Sequence, residues 1–350
     1  MISNQSRTKE WIIGIRANSP GRDPILIEKM IMALTLVENL RLSGLDFIFK
    51  GGTSLILLLG MPQRFSIDID IVLTRDQNLD EYIQAVLDQG VFHRFEENKR
   101  AGDLPKQHYK FFYNSVIQGK ESHILLDILF DEDPYPTLQE VNIVSPLITV
   151  TGEITRVTCP ALECLLGDKL TAFAPHTTGI SYGVGKELEI AKQLYDVAIL
   201  FDASTDVNLV GAAFENIALK QLSYRAMREQ TSIDVLMDVF YTAVLIGMRG
   251  SSPSTEYAEL LGGFKKLAAF VYSGFFSLDS AILCASKAAY LSALIANQKD
   301  SIQRFENNQD ISSWSIVNSD YSKLNKLKKT SPEAFYYFYL ALDLLEISGA

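Results

Sequence analysis

In Ser66-Ile67-Asp68-Ile69-Asp70-Ile71-Val72, acidic and branched aliphatic residues alternate with the period of a β-strand, which puts Asp68 and Asp70 on one face and Ile67, Ile69 and Ile71 on the other. Two carboxylates held side by side repel, and the pKa of one rises unless a cation lies between them. Magnesium suits such a pair, because it is a hard ion satisfied by one or two carboxylates together with waters and substrate phosphates. A half-exposed strand showing alternate charges to solvent has the same pattern. Asp127 adds to the case. It stands in Ile124-Leu125-Leu126-Asp127-Ile128-Leu129-Phe130, where both faces are otherwise apolar, so the pattern predicts a buried carboxylate. A lone buried charge is costly unless neutralised, paired or metal-bound, and a third carboxylate on a neighbouring strand is what two metal ions need. A buried Asp that is bonded to backbone or protonated is the plain alternative. Asp131 and Asp133, just before Pro134, read as turn residues.

The segment Lys50-Gly51-Gly52-Thr53-Ser54 ends one apolar run, Phe47-Ile48-Phe49, and opens another that continues to Leu59. This reads as strand, glycine turn, helix. Backbone N–H groups at such a turn carry no side-chain obstruction and can point at phosphate oxygens, helped by the helix dipole. Thr53 or Ser54 can add a hydroxyl. Neither the dinucleotide fingerprint nor a P-loop is present.

Around these residues, Asp23-Pro24 signals a helix start, and Ile27, Met30, Ile31, Leu34 and Val37 recur at helical spacing up to Gly44. The stretches Phe92 to Glu97, His108 to Tyr113 and Ser122 to Phe130 read as strands. After Pro160 the pattern turns to long helical periods through to Ala350. The expected organisation is a mixed α/β domain over 1–158, a linker near Thr155 to Pro160, and a helical domain over 159–350.

On the helix predicted from Ala161 to Phe173, Leu162, Leu165, Leu166, Leu170 and Phe173 form an apolar stripe, and Lys169 falls inside it. An ammonium there needs an anion, either a triphosphate or a core carboxylate, unless it snorkels to the helix edge. Lys192 and Asp196, four apart, suit a surface pair. Residues 175–186 are rich in glycine and hydroxyl groups and suit a loop beside a site, with His176 a candidate phosphate or base contact. His93, His108 and His123 lie in strand-like segments and read as packing or solvent-facing residues.

The net charge of −10, from 42 acidic against 32 basic residues, excludes a surface that binds nucleic acid everywhere. Any such contact must be local, and the densest basic run is Lys323, Lys326, Lys328 and Lys329. The three cysteines, Cys159, Cys164 and Cys284, lack the pairing of a disulfide framework or a zinc site. The amino-terminal stretch has no secretory h-region, and no continuous apolar run approaches the length of a membrane span, so a cytoplasmic protein is expected.

Glycine pair, helix, D-x-D and a later Asp in an apolar strand follow the order of the polymerase-beta-like nucleotidyltransferases. More closely, the chain resembles the AbiEii/AbiGii type of toxin nucleotidyltransferase, with K-G-G-T-x-L followed by R-x-S-x-D-I-D. Here these are Lys50-Gly51-Gly52-Thr53-Ser54-Leu55 and Arg64-Phe65-Ser66-Ile67-Asp68-Ile69-Asp70. The family's E-K-L and R-D-L-x-D-L appear as Asp168-Lys169-Leu170 and Lys192-Gln193-Leu194-Tyr195-Asp196-Val197, with Asp for Glu, Lys for Arg and Gln for the first Asp. The resemblance spans Leu45 to Phe201.

It implies an α+β fold, a nucleotidyltransferase mixed-sheet core followed by an α-helical carboxy-terminal domain that contributes nucleotide contacts. It further implies Mg2+, two ions on Asp68, Asp70 and Asp127, and a nucleoside triphosphate substrate. Lys169 joins those carboxylates as a catalytic candidate. Lys50, Gly51, Gly52, Thr53, Ser54, Arg64, Ser66, Lys169, Lys192 and Asp196 are the nucleotide-binding candidates. A toxin of a toxin–antitoxin or phage-defence system is implied as well, with a cognate antitoxin and with tRNA as an acceptor whose modification would block translation. A nucleotide-dependent kinase and a non-catalytic nucleotide-binding protein are the competing readings.

Overall fold

The computed structural model describes residues 1–18, 21–74, 78–97, 106–250, 254–272 and 274–347. The chain forms two compact units, one of residues 1–133 and 137–161, the other of 134–136 and 162–350.

In the first unit, α1 (Lys9–Asn18) and α2 (Pro24–Leu42) precede the sheet. The Asp23 carboxylate accepts from the Ile25 N–H and caps α2, while Pro24 takes a first-turn position where no backbone donor is needed. Helix α2 is buried over most of its length, including two acids. Glu28 accepts from the Ser115 hydroxyl and the Val116 N–H, and Glu38 from the Ile2 N–H and the Thr155 hydroxyl. Each buried carboxylate is thus met by donors from distant segments, which ties those segments to the helix.

Strand β1 (Ile48–Lys50) runs into α3 (Gly51–Leu58), followed by β2 (Ile69–Leu73), α4 (Leu79–Asp88), β3 (Arg94–Glu97), β4 (Lys106–Asn114), β5 (Glu121–Phe130), β6 (Leu138–Asn142) and β7 (Arg156–Pro160). They form one seven-stranded sheet in the order β3-β4-β5-β2-β1-β7-β6. Strands β2 and β5 are parallel, as are β1 and β7, and the other neighbours are antiparallel. The mixed sheet followed by helices is the expected α+β architecture. The expected linker at Thr155 to Pro160 is not one: Arg156–Pro160 is β7, hydrogen-bonded to both β1 and β6. Its alternation of Val157 and Cys159 inward is short, and a five-residue strand beside a proline carries little local signal.

The second unit holds α5 (Leu162–Ala172), α6 (Glu187–Ala203), α7 (Val207–Tyr224), α8 (Ser232–Gly247), α9 (Thr255–Leu267), α10 (Leu278–Ala296), α11 (Leu327–Thr330) and α12 (Pro332–Leu344). Positions 348–350, part of the expected helical run, lie outside the described residues. Helix α10 is, by length and average composition, apolar enough to cross a membrane, although Asp279 and Lys287 interrupt it so that it is no continuous apolar run. Yet 72% of it is buried inside the fold, where it packs on α6, α8 and α12, as a core helix does. All three cysteines are free and buried, and burial pushes the Cys159 and Cys284 thiols up to about 12.

Candidate active site

The sheet register brings four of its polar residues into one transverse row. Lys50 on β1 lies opposite Asp70 on β2, Asp70 opposite Asp127 on β5, and Asp127 opposite His108 on β4. Residues paired in this way project from the same face of a sheet. Their neighbours Ile69, Ile71, Leu126, Ile128 and Tyr109 are buried, and all four members of the row are half-buried. Strand period places the apolar set inward and leaves the row at the accessible face.

Asp127 therefore differs from expectation. Its side chain is 30% exposed rather than buried, because Leu125 and Leu129, its companions on that face, are only half-buried. His108 Nδ1 lies 2.6 Å from Asp127 Oδ1. His108 is thus a partner of Asp127, not merely the packing or solvent-facing residue its strand-like segment suggests. Nothing local in Lys106-Gln107-His108-Tyr109 marks it; only the β4–β5 pairing does.

The glycine turn closes one end of the row. Gly51 has φ +77°, in the left-handed region that favours glycine, and a β-carbon there would stand 2.0 Å from Asp70 Oδ2. The carboxylate of Asp70 occupies the space the missing side chain leaves. At Gly52 a β-carbon would meet the Arg64 guanidinium at 2.5 Å and the Ser66 hydroxyl at 2.7 Å. The two glycines thus admit Asp70, Arg64 and Ser66 against the first turn of α3, whose leading N–H groups lack intrahelical partners.

The hydroxyls of Thr53 and Ser54 are buried and used internally. Thr53 donates to the Asp68 carbonyl at 2.6 Å, with the Ser66 hydroxyl 3.0 Å away, and Ser54 donates to the Gly51 carbonyl at 2.8 Å. Thr53 thereby holds the backbone of Asp68, which is exposed and lies just ahead of β2. Arg64, 7% exposed, donates to the Phe65 carbonyl. Among the described residues, no three acidic, histidine or cysteine side chains converge on a single metal position. Two hard carboxylates in register, with a third two residues upstream, nevertheless fit an ion that takes one or two carboxylates and completes its shell with water and phosphate.

The remaining candidates lie in the second unit. Lys169 on α5 is buried, and its ammonium has found a core carboxylate: Asp196 Oδ2 on α6 lies at 3.1 Å, and Gln193 Oε1 at 3.1 Å. Asp196, expected on the surface beside Lys192, is itself 2% exposed. Lys192 lies 3.8 Å from Glu189 and 4.7 Å from the centre of the Phe270 ring. Asp168 accepts from the Tyr135 hydroxyl at 2.7 Å.

The 175–186 loop is fastened to its own unit: Asp238 accepts from the His176 N–H and the Thr177 hydroxyl, and Glu259 from the Gly183 N–H. Burial raises the pKa of Asp238, opposed by these donors. The His176 imidazole lies 3.4 Å from Glu256. His93 pairs with Glu121 at 2.9 Å, and His123 packs on Phe112.

A family model described as nucleotidyl transferase AbiEii toxin, Type IV TA system, matches residues 35–259. No curated protein matches the chain. Among solved structures, JHP933 from Helicobacter pylori is 15% identical, covers 85% of this chain and 94% of its own, and superposes with a TM-score of 0.44. An antigenic nucleotidyltransferase-like protein from Paracoccidioides brasiliensis is 15% identical, with 58% of this chain and 93% of its own covered and a TM-score of 0.37.

Proposed function

This chain belongs to the AbiEii nucleotidyl transferase toxin family of Type IV toxin–antitoxin systems, and from that premise we propose that it transfers a nucleoside monophosphate from a nucleoside triphosphate to an acceptor hydroxyl. The acceptor oxygen bonds to the α-phosphorus as the bond from that phosphorus to the β-bridging oxygen breaks. Pyrophosphate leaves, and the hydroxyl proton passes to Asp127. The in-register row of Lys50, Asp70, Asp127 and His108, with Asp70 seated over Gly51, is the observation that carries this reading.

Asp68, Asp70 and Asp127 are the residues that would hold magnesium, which when bound supplies positive charge to the phosphate oxygens and lowers the pKa of the attacking hydroxyl. The chain's own part is positional. The first turn of α3, with Asp70 over Gly51 and Arg64 and Ser66 over Gly52, receives phosphate, and Lys50 and Arg64 add fixed positive charge. Lys169 supports the nucleotide side of the reaction while anchored by Asp196 and Gln193.

The toxin role, in phage defence, brings with it a cognate antitoxin and a tRNA acceptor in the cytoplasm. The three buried free cysteines suit that compartment. Incubation with a total tRNA fraction and triphosphate labelled separately at the α and γ positions tests the proposal. Transfer of α-label is expected; transfer of γ-label alone would make the protein a kinase, and transfer of neither to any acceptor would remove the assignment.

A further inference from the structure

Asp127 must present one carboxylate oxygen in a set direction if it is to bind a cation or take a proton, and a carboxylate on a half-exposed strand rotates freely about its last bond. His108 removes that freedom. Its Nδ1 lies 2.6 Å from Asp127 Oδ1, the imidazole side chain is 13% exposed, and the two residues are directly paired across β4 and β5. An ionised carboxylate only accepts, so the proton of this bond sits on Nδ1. Among the described residues, Asp127 Oδ2 makes no hydrogen bond. The bond does little for strand pairing, since the β4–β5 ladder already runs from Lys106↔Leu129 to Asn114↔Glu121.

We propose that His108 is the positioning residue of Asp127: its Nδ1–H fixes Oδ1 and turns Oδ2 toward the divalent cation and the acceptor hydroxyl. This rests on the nucleotidyl-transfer reading of the same row. Partners that orient a metal-binding carboxylate in this way typically contribute about 10- to 100-fold in metal affinity.

The test is Mn2+ binding to the full-length protein at one fixed pH, followed by the loss of the free-ion electron paramagnetic resonance signal, for the unaltered chain and for His108→Ala, His108→Asn and Asp127→Asn. Thermal unfolding of each apoprotein reports the fold. His108→Ala is expected to weaken Mn2+ binding by about 10-fold or more. His108→Asn, whose amide N–H can stand where Nδ1–H stood, is expected to restore most of it, with similar unfolding midpoints. Unchanged binding in His108→Ala, or equal weakness in the Ala and Asn variants, overturns the positioning role while a deficient Asp127→Asn keeps the metal site intact. Should Asp127→Asn also bind Mn2+ normally, the metal-site reading fails and the role of His108 falls with it.

Discussion

The Asp70 carboxylate stands in the space that a side chain on Gly51 would fill, with Oδ2 2.0 Å from the position of the absent β-carbon. Glycine at 51 is therefore required twice, once for its φ of +77° and once for the carboxylate above it. Gly60 offers a control, since its φ is +69° but open space surrounds it. Gly60→Ala should cost only the left-handed backbone penalty, about 1–2 kcal/mol, with transfer unaffected. Gly51→Ala should cost more than that and abolish transfer. Chemical unfolding and α-label transfer, measured on both variants, check the contrast.

Asp70→Asn and Asp68→Asn should each lower transfer by more than about 100-fold, the upper range for losing a mere supporting partner of a ligand. The apoprotein should keep or raise its unfolding midpoint, because Asp70 and Asp127 are adjacent like charges in register. Full transfer activity in either variant would remove that residue from the metal-binding set.

Lys169→Met should destabilise the second unit by about 3–5 kcal/mol, because it removes one partner of the buried ion pair with Asp196. The double variant Lys169→Met with Asp196→Leu should recover most of that loss, since an apolar pair can replace a buried ion pair at little cost. Urea unfolding of the two singles and the double gives the coupling. If the double variant still bound triphosphate like the unaltered chain, Lys169 would be a structural residue only.

For the acceptor, the basic run reduces to three exposed lysines, Lys323, Lys326 and Lys329. Lys328 is half-buried, bonded to the Trp314 carbonyl and placed 5.3 Å from the centre of the Phe335 ring. Changing the three exposed residues to Glu should reduce tRNA labelling and flatten its salt dependence, since fewer phosphate contacts release fewer counterions. Triphosphate binding should be unchanged. Labelling at the unaltered rate and with the unaltered salt slope would exclude this surface.

Local pattern in the chain was sufficient for the glycine turn, for the D-x-D alternation, for α2 with its Asp23 cap, and for the passage from mixed to helical structure. Each depends on a period or a backbone preference that is expressed within a few residues. It was also sufficient to show that Lys169 needs an anion, because an ammonium inside a helix's apolar stripe is visible from spacing alone. What local pattern could not supply was any partner across the sheet or between helices. Strand period says which residues share a face of one strand, but not which strands are neighbours, and a one-residue slip in pairing would have set His108 on the opposite face from Asp127. Tertiary structure decided that β4 and β2 flank β5, that Asp127 is half-exposed in a row with Asp70 and His108, that residues 156–160 form a strand, and that Asp196 is the anion for Lys169. These are contacts between residues far apart in the chain, and their geometry exists only once the sheet and the helices have packed.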